Sequence, residues 1–145
     1  MTLADNPMCH HPEMTEDVFV ATLRLSPAGN EAQEMYRILV RQGLSPAVFL
    51  GFFWVESKYG TVGVAADYNT KNPGNVRTPE DSALGTQTPE VPGKGRYAWY
   101  PVWVNGTLDW CLRIKGPKYA GSGLSTVRQV SVSYTHLTLP TKRIV

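Results

Sequence analysis

One stretch constrains this 145-residue chain more than any other: Ala47 through Val55 is apolar at every position except Gly51, and Glu56 follows it directly. Ser45 and Pro46 stand in front of the run as a helix cap and a first-turn proline, and Gly60 stands behind it as a stop. A helix that is apolar on all sides has no face to give to water, so it must lie at the centre of whatever core the chain builds. The chain is long enough for one domain.

Other helices are expected around that centre. Thr15 caps a first helix with Glu16 and Asp17 in its opening turn, where the dipole favours anions. Its inner face is Phe19, Thr22 and Leu23, and Ser26-Pro27 closes it. In the second, Asn30 is the cap, and Ala32, Met35, Tyr36, Leu39 and Val40 fall at helical spacing as far as Gly43. Between Thr61 and Pro101 glycine and proline recur every few residues, which predicts a loop-rich lobe with a short hairpin ending at Arg96–Tyr100. A fourth helix is expected from Asn105 to Lys115, with Leu108, Cys111 and Leu112 inward and Gly116-Pro117 as its stop. The fold class is thus mainly α, with a buried central helix and a small loop-rich or β-hairpin lobe.

Composition excludes several function classes. The formal charge is +2, and Lys142 and Arg143 account for both excess cations. Nothing in that balance points to nucleic acid. No apolar stretch approaches the roughly 20 residues of a membrane span, so no membrane insertion is expected. Met1–Met14 lacks the basic start and apolar run of a signal peptide. Cys9 and Cys111 could pair or remain two free thiols, the reading favoured here. Cys9-His10-His11 lacks a second pair of ligands at zinc-site spacing, so no metal and no cofactor is expected.

Glu56 is the residue whose surroundings suggest chemistry. Phe52 and Phe53 lie four and three residues before it and Phe49 seven before, so its own helical face is aromatic. Apolar surroundings and the negative end of the helix dipole both favour the neutral carboxyl, which is the form a general acid needs to cleave a glycosidic bond. The plainer reading is a solvated last-turn glutamate near Lys58 or Arg41.

The segments Phe52-Phe-Trp-Val-Glu-Ser-Lys-Tyr-Gly-Thr61, Asn72-Pro-Gly-Asn-Val-Arg77 and Tyr100-Pro-Val-Trp-Val-Asn-Gly-Thr-Leu-Asp-Trp110, in that order, resemble the bacterial glucosaminidase and muramidase family of peptidoglycan hydrolases. The resemblance spans residues 15 to 130. It implies a lysozyme-like fold, cleavage of the β-1,4 bonds of a glycan strand of N-acetylglucosamine and N-acetylmuramic acid, and Glu56 as general acid. It further implies Asn72 and Asn75 at the floor of the groove, although tight-turn chemistry explains both equally well. Tyr97, Trp99, Tyr100 and Trp103 would offer flat faces to sugars, or else pack in the core, and Tyr119 would stand near the scissile sugar.

The departure from the family lies in the second acid. Asp67, Glu80, Asp81 and Glu90 are candidates, and none sits in a recognisable motif. A lytic transglycosylase with a single carboxylate, a substrate-assisted route through the N-acetyl group and a catalytically silent glycan-binding or structural module are therefore the alternatives. The implied partner is peptidoglycan, the implied setting extracellular or cell-wall associated, and the expected state a monomer.

Val132–Val145 resembles one reading frame of a transposase-based sequencing adapter, the alternative being a β-rich terminal strand. The expected organisation is a leader or linker over 1–14, an incomplete lysozyme-like glucosaminidase domain over 15–130, and an artefactual tail over 131–145. Helices that follow in such folds would then be missing, leaving Phe49, Phe53 and Trp110 partly wet.

Overall fold

The computed structural model describes residues 14–119. The expected leader, apart from Met14, and the expected adapter-derived tail lie outside the described residues, as does the Cys9-His10-His11 cluster.

The architecture is mainly α, with five α-helices and one two-stranded antiparallel sheet among the described residues. Helix α1 (Glu16–Leu23) begins where Thr15 accepts the amide of Val18 at 3.3 Å, and it buries Phe19 and Leu23. Thr22 is exposed instead, its hydroxyl donating to the Val18 carbonyl at 2.7 Å. Asn30 does not cap the second helix. It lies in a 3-10 turn (Gly29–Glu31) that leads into α2 (Ala32–Arg41). The inner stripe of α2 is Ala32, Met35, Ile38 and Leu39. Val40 faces solvent, and half-buried Tyr36 packs on Phe19 while donating its hydroxyl to the Met14 carbonyl.

Helix α3 (Pro46–Ser57) is the central element, capped by the Ser45 hydroxyl on the Val48 amide. Phe49 touches Phe19, Phe53 and Trp110, with ring centroids 6.2, 5.8 and 5.1 Å away. Phe49 and Phe53 are fully buried and Trp110 is 2% exposed, which overturns the expectation that these three rings stay partly wet. The rings of α3 and α5 interleave with each other. Each such ring contributes on the order of 3–5 kcal/mol, judged by what its truncation to alanine typically costs.

Besides its hairpin, the loop-rich lobe holds a short helix α4 (Gly63–Asp67) that its glycine and proline spacing did not signal. Its sheet pairs β1 (Thr86–Gln87) with β2 (Ala98–Trp99), and a Val91–Gly95 bridge tightens the intervening loop. Val64, Val91 and Tyr97 form a small second core there.

Helix α5 (Trp103–Lys115) starts earlier than its sequence pattern suggested. Val102 at its cap position offers no side-chain acceptor; the Glu31 carboxylate does so instead, taking the amides of Trp103 and Val104 at 3.0 Å each. An anion against the positive end of a helix satisfies orphan N–H groups and the dipole together. The inner face of α5 is Trp103, Gly106, Thr107, Trp110, Cys111 and Ile114, while Leu108 and Leu112 are only half-buried. A side chain at Gly106 is impossible without movement, because a Cβ would stand 2.1 Å from the Lys71 carbonyl oxygen.

Cys111 is a free, fully buried cysteine, and burial pushes its thiol up from 9.0 to about 12. The unfolded chain therefore releases this proton at lower pH than the folded one, so the contribution of Cys111 to stability is intact below pH 9 and lost as pH rises toward 12. Denaturation midpoints measured across that range should fall less steeply for Cys111→Ala than for the parent. In the folded protein at neutral pH, the Cys111 thiol should resist alkylation until denaturant is added.

Candidate active site

Glu56 occupies the last turn of α3 and is only 4% exposed, so the solvated-surface reading does not hold. Phe52 and Phe53 lie one turn behind it and are buried with it. The chain leaves the helix through three successive left-handed residues, Lys58, Tyr59 and Gly60, at φ 48°, 60° and 81°. The cap is thus Lys58, not Gly60. Two non-glycine residues in this region cost on the order of 1–3 kcal/mol each, so the surroundings must enforce the turn. Trp103 is one enforcer: a Cβ on Gly60 would come within 2.7 Å of its indole. Ser57 is another, its hydroxyl accepting the Gly60 amide at 2.8 Å.

Asn75 is brought onto this turn. Its side-chain amide donates to the Glu56 carbonyl oxygen at 3.1 Å, and its own backbone is left-handed at φ 51°. Asn72 is 1% exposed and fully engaged, donating to the carbonyls of Val76 and Ala98 and accepting the Val76 amide. For Asn72 turn chemistry therefore replaces the groove-floor role, whereas Asn75 ties the loop lobe to the end of α3. Beside the same turn opens a cleft of about 530 Å³, lined by residues that include Leu25, Pro27, Gly60, Thr61, Ala66 and Asn69.

The rings singled out for sugar contact are mostly packing residues. Tyr97 is covered by the Arg77 guanidinium 4.1 Å from its centroid, and Trp103 packs on Phe53 at 5.3 Å. Tyr100 is 1% exposed, and its hydroxyl donates to Asp109 at 2.5 Å. Trp99 is half-buried in β2. Tyr119 is 2% exposed, and burial raises its phenol above the ordinary value. Trp54, by contrast, is 49% exposed, although hydropathy alone placed it in the core.

The four candidate second acids are all exposed. Glu80 pairs with Arg113 at 3.5 Å, Glu90 pairs with Arg96 at 3.8 Å, and Asp81 accepts the Ala83 amide. Asp67 ends α4. The fully buried carboxylate is a different residue, Asp109 on α5. It accepts the amides of Glu80 and Asp81 at 2.9 Å each as well as the Tyr100 hydroxyl. The signal for it was an acid set among the apolar positions Trp110, Cys111 and Ile114 of one helix. Among the described residues no group of three or more His, Cys, Asp or Glu could hold a metal ion, and no helix is long and apolar enough to cross a membrane.

Asp109→Ala strands two main-chain amides and a phenol, each costing about 1–3 kcal/mol. Chemical denaturation should show a loss of at least about 3 kcal/mol, with faster amide exchange at Glu80 and Asp81; an unchanged midpoint would remove Asp109 from this role. Comparison of the chain with protein-family models, with curated proteins and with solved structures finds no match.

Proposed function

We propose that this chain is a lysozyme-like peptidoglycan hydrolase that cleaves β-1,4 bonds of an amino-sugar strand, with Glu56 donating the proton to the leaving oxygen. The observation that carries the reading is the burial of Glu56, 4% exposed in the last turn of an otherwise apolar helix. A carboxyl kept there at the expense of an apolar neighbour has a reason other than stability, because burying an acid is costly. The rigid left-handed turn after it and the Asn75 tie support the same reading, since general acid catalysis needs a positioned group. A cleft lined in part by Gly60 and Thr61, on the turn that follows Glu56, offers room for a substrate.

One observation favours the single-carboxylate form of this chemistry. Glu80 is engaged by Arg113 of α5, and Asp81 and Glu90 by the Ala83 amide and Arg96 of their own lobe. In that form Glu56 protonates the departing glycosidic oxygen. Its carboxylate then takes the proton of the 6-hydroxyl as that oxygen closes onto C1 of the muramyl sugar, giving an anhydro end.

Glu56→Gln keeps the shape and removes the proton. Release of soluble fragments from purified cell wall should fall by a factor of about 100 or more, with the melting temperature nearly unchanged. Retained turnover would reject Glu56 as the acid. Mass spectrometry of the parent's products separates the two routes: reducing ends mark hydrolysis with a water-activating carboxylate, and anhydromuramyl ends mark the single-carboxylate closure.

A further inference from the structure

The outer side of α3 is unlike the rest of the helix. Trp54 is 49% exposed and Val55 37% exposed, although both belong to an apolar run. Tyr59 packs beside Trp54 with ring centroids 5.0 Å apart and planes inclined at 57°, and the Lys58 ammonium stands 6.0 Å from the indole centroid. Behind them Tyr59 also leans on buried Phe53 at 5.4 Å, so the two rings are braced by the core. Lys58 and Tyr59 reach these places through left-handed backbone.

We propose that Trp54 and Tyr59 form a stacking platform for a pyranose ring of an amino-sugar glycan strand, with Lys58 placed to receive an acidic group on the muramyl sugar. The proposal rests on the hydrolase reading for its substrate class and adds a binding position outside the catalytic residue. Two braced rings set at an angle present flat apolar faces with wet edges. That matches a sugar, which offers C–H bonds on its face and hydroxyls at its rim. An apolar protein surface fits less well, since covering this patch would also strip water from the Lys58 ammonium. Trp54 and Glu56 are two residues apart and so point to opposite sides of α3, a helix about 10–12 Å across with its side chains. An extended strand passing the end of the helix spans that distance.

The test uses the full chain carrying Glu56→Gln, so that bound strands are not cut. Neutral chitotetraose and a muramyl-containing tetrasaccharide are titrated by calorimetry, and tryptophan indole N–H signals are followed by NMR. On binding, the Trp54 signal should shift. Trp54→Ala should weaken both ligands by about 5- to 10-fold, in keeping with the worth of one aromatic contact, and Trp54→Phe should restore most of the loss. Lys58→Gln should weaken only the acidic ligand. Equal affinity in Trp54→Ala, or no binding of either ligand, overturns the platform. So does shielding of Trp54 by rising protein concentration alone, which would make the face a contact between copies. The hydrolase reading is judged separately, by whether Glu56→Gln abolishes turnover.

Discussion

Helix α5 is held in place by two carboxylates whose partners come from distant parts of the chain, and the geometry around Glu56 depends on that placement. Glu31 takes the first amides of the helix, and Asp109, in its middle, takes the amides of Glu80 and Asp81. These charge-assisted bonds are stronger than neutral ones and demand a particular geometry. They fix where Trp103 stands. Trp103 in turn presses on Gly60 and holds the left-handed turn that ends the central helix. A shift of α5 would therefore be felt at Glu56 through a ring and a turn.

The aromatic core and the buried acid are two sides of one arrangement. Phe49 packs tilted on Phe53 and edge-on against Trp110, and Phe52 also packs on Trp110. Asn75 binds the main-chain oxygen of Glu56, so the loop lobe is joined to the helix through the backbone of the acid itself. The lobe that borders the cleft and the helix that carries the carboxyl are thus fastened at one point.

Much of this was readable in the sequence where signals are local. Ser45-Pro46 and the apolar run located α3, Thr15 located α1, and Glu56 followed from its neighbours along one helix. Features set by distant parts of the chain were not readable. Nothing near Val102 says that Glu31 will cap α5. Helix α4, at five residues, is too short to display a period. On α2 the burial choice fell on Ile38 over Val40, two aliphatic β-branched residues that pattern alone cannot rank. The aromatic residues were the hardest. Hydropathy treats Trp54 and Trp103 alike, yet one is half-exposed and the other buried, because only packing decides which ring finds a neighbour.

The cap on α5 also bears on how the chain reaches its native state. Glu31 and Trp103 are 72 residues apart in sequence, so closing their contact means ordering a long loop first, at an entropic cost that grows with its length. During synthesis on a ribosome, α1, α2 and α3 emerge with their apolar stripes and no α5 to cover them. Contacts of such high sequence separation slow folding even in a helical protein. The nascent chain thus passes through an interval in which Phe49 and Phe53 lack their partners Trp110 and Trp103, and that interval ends only when α5 has left the exit tunnel.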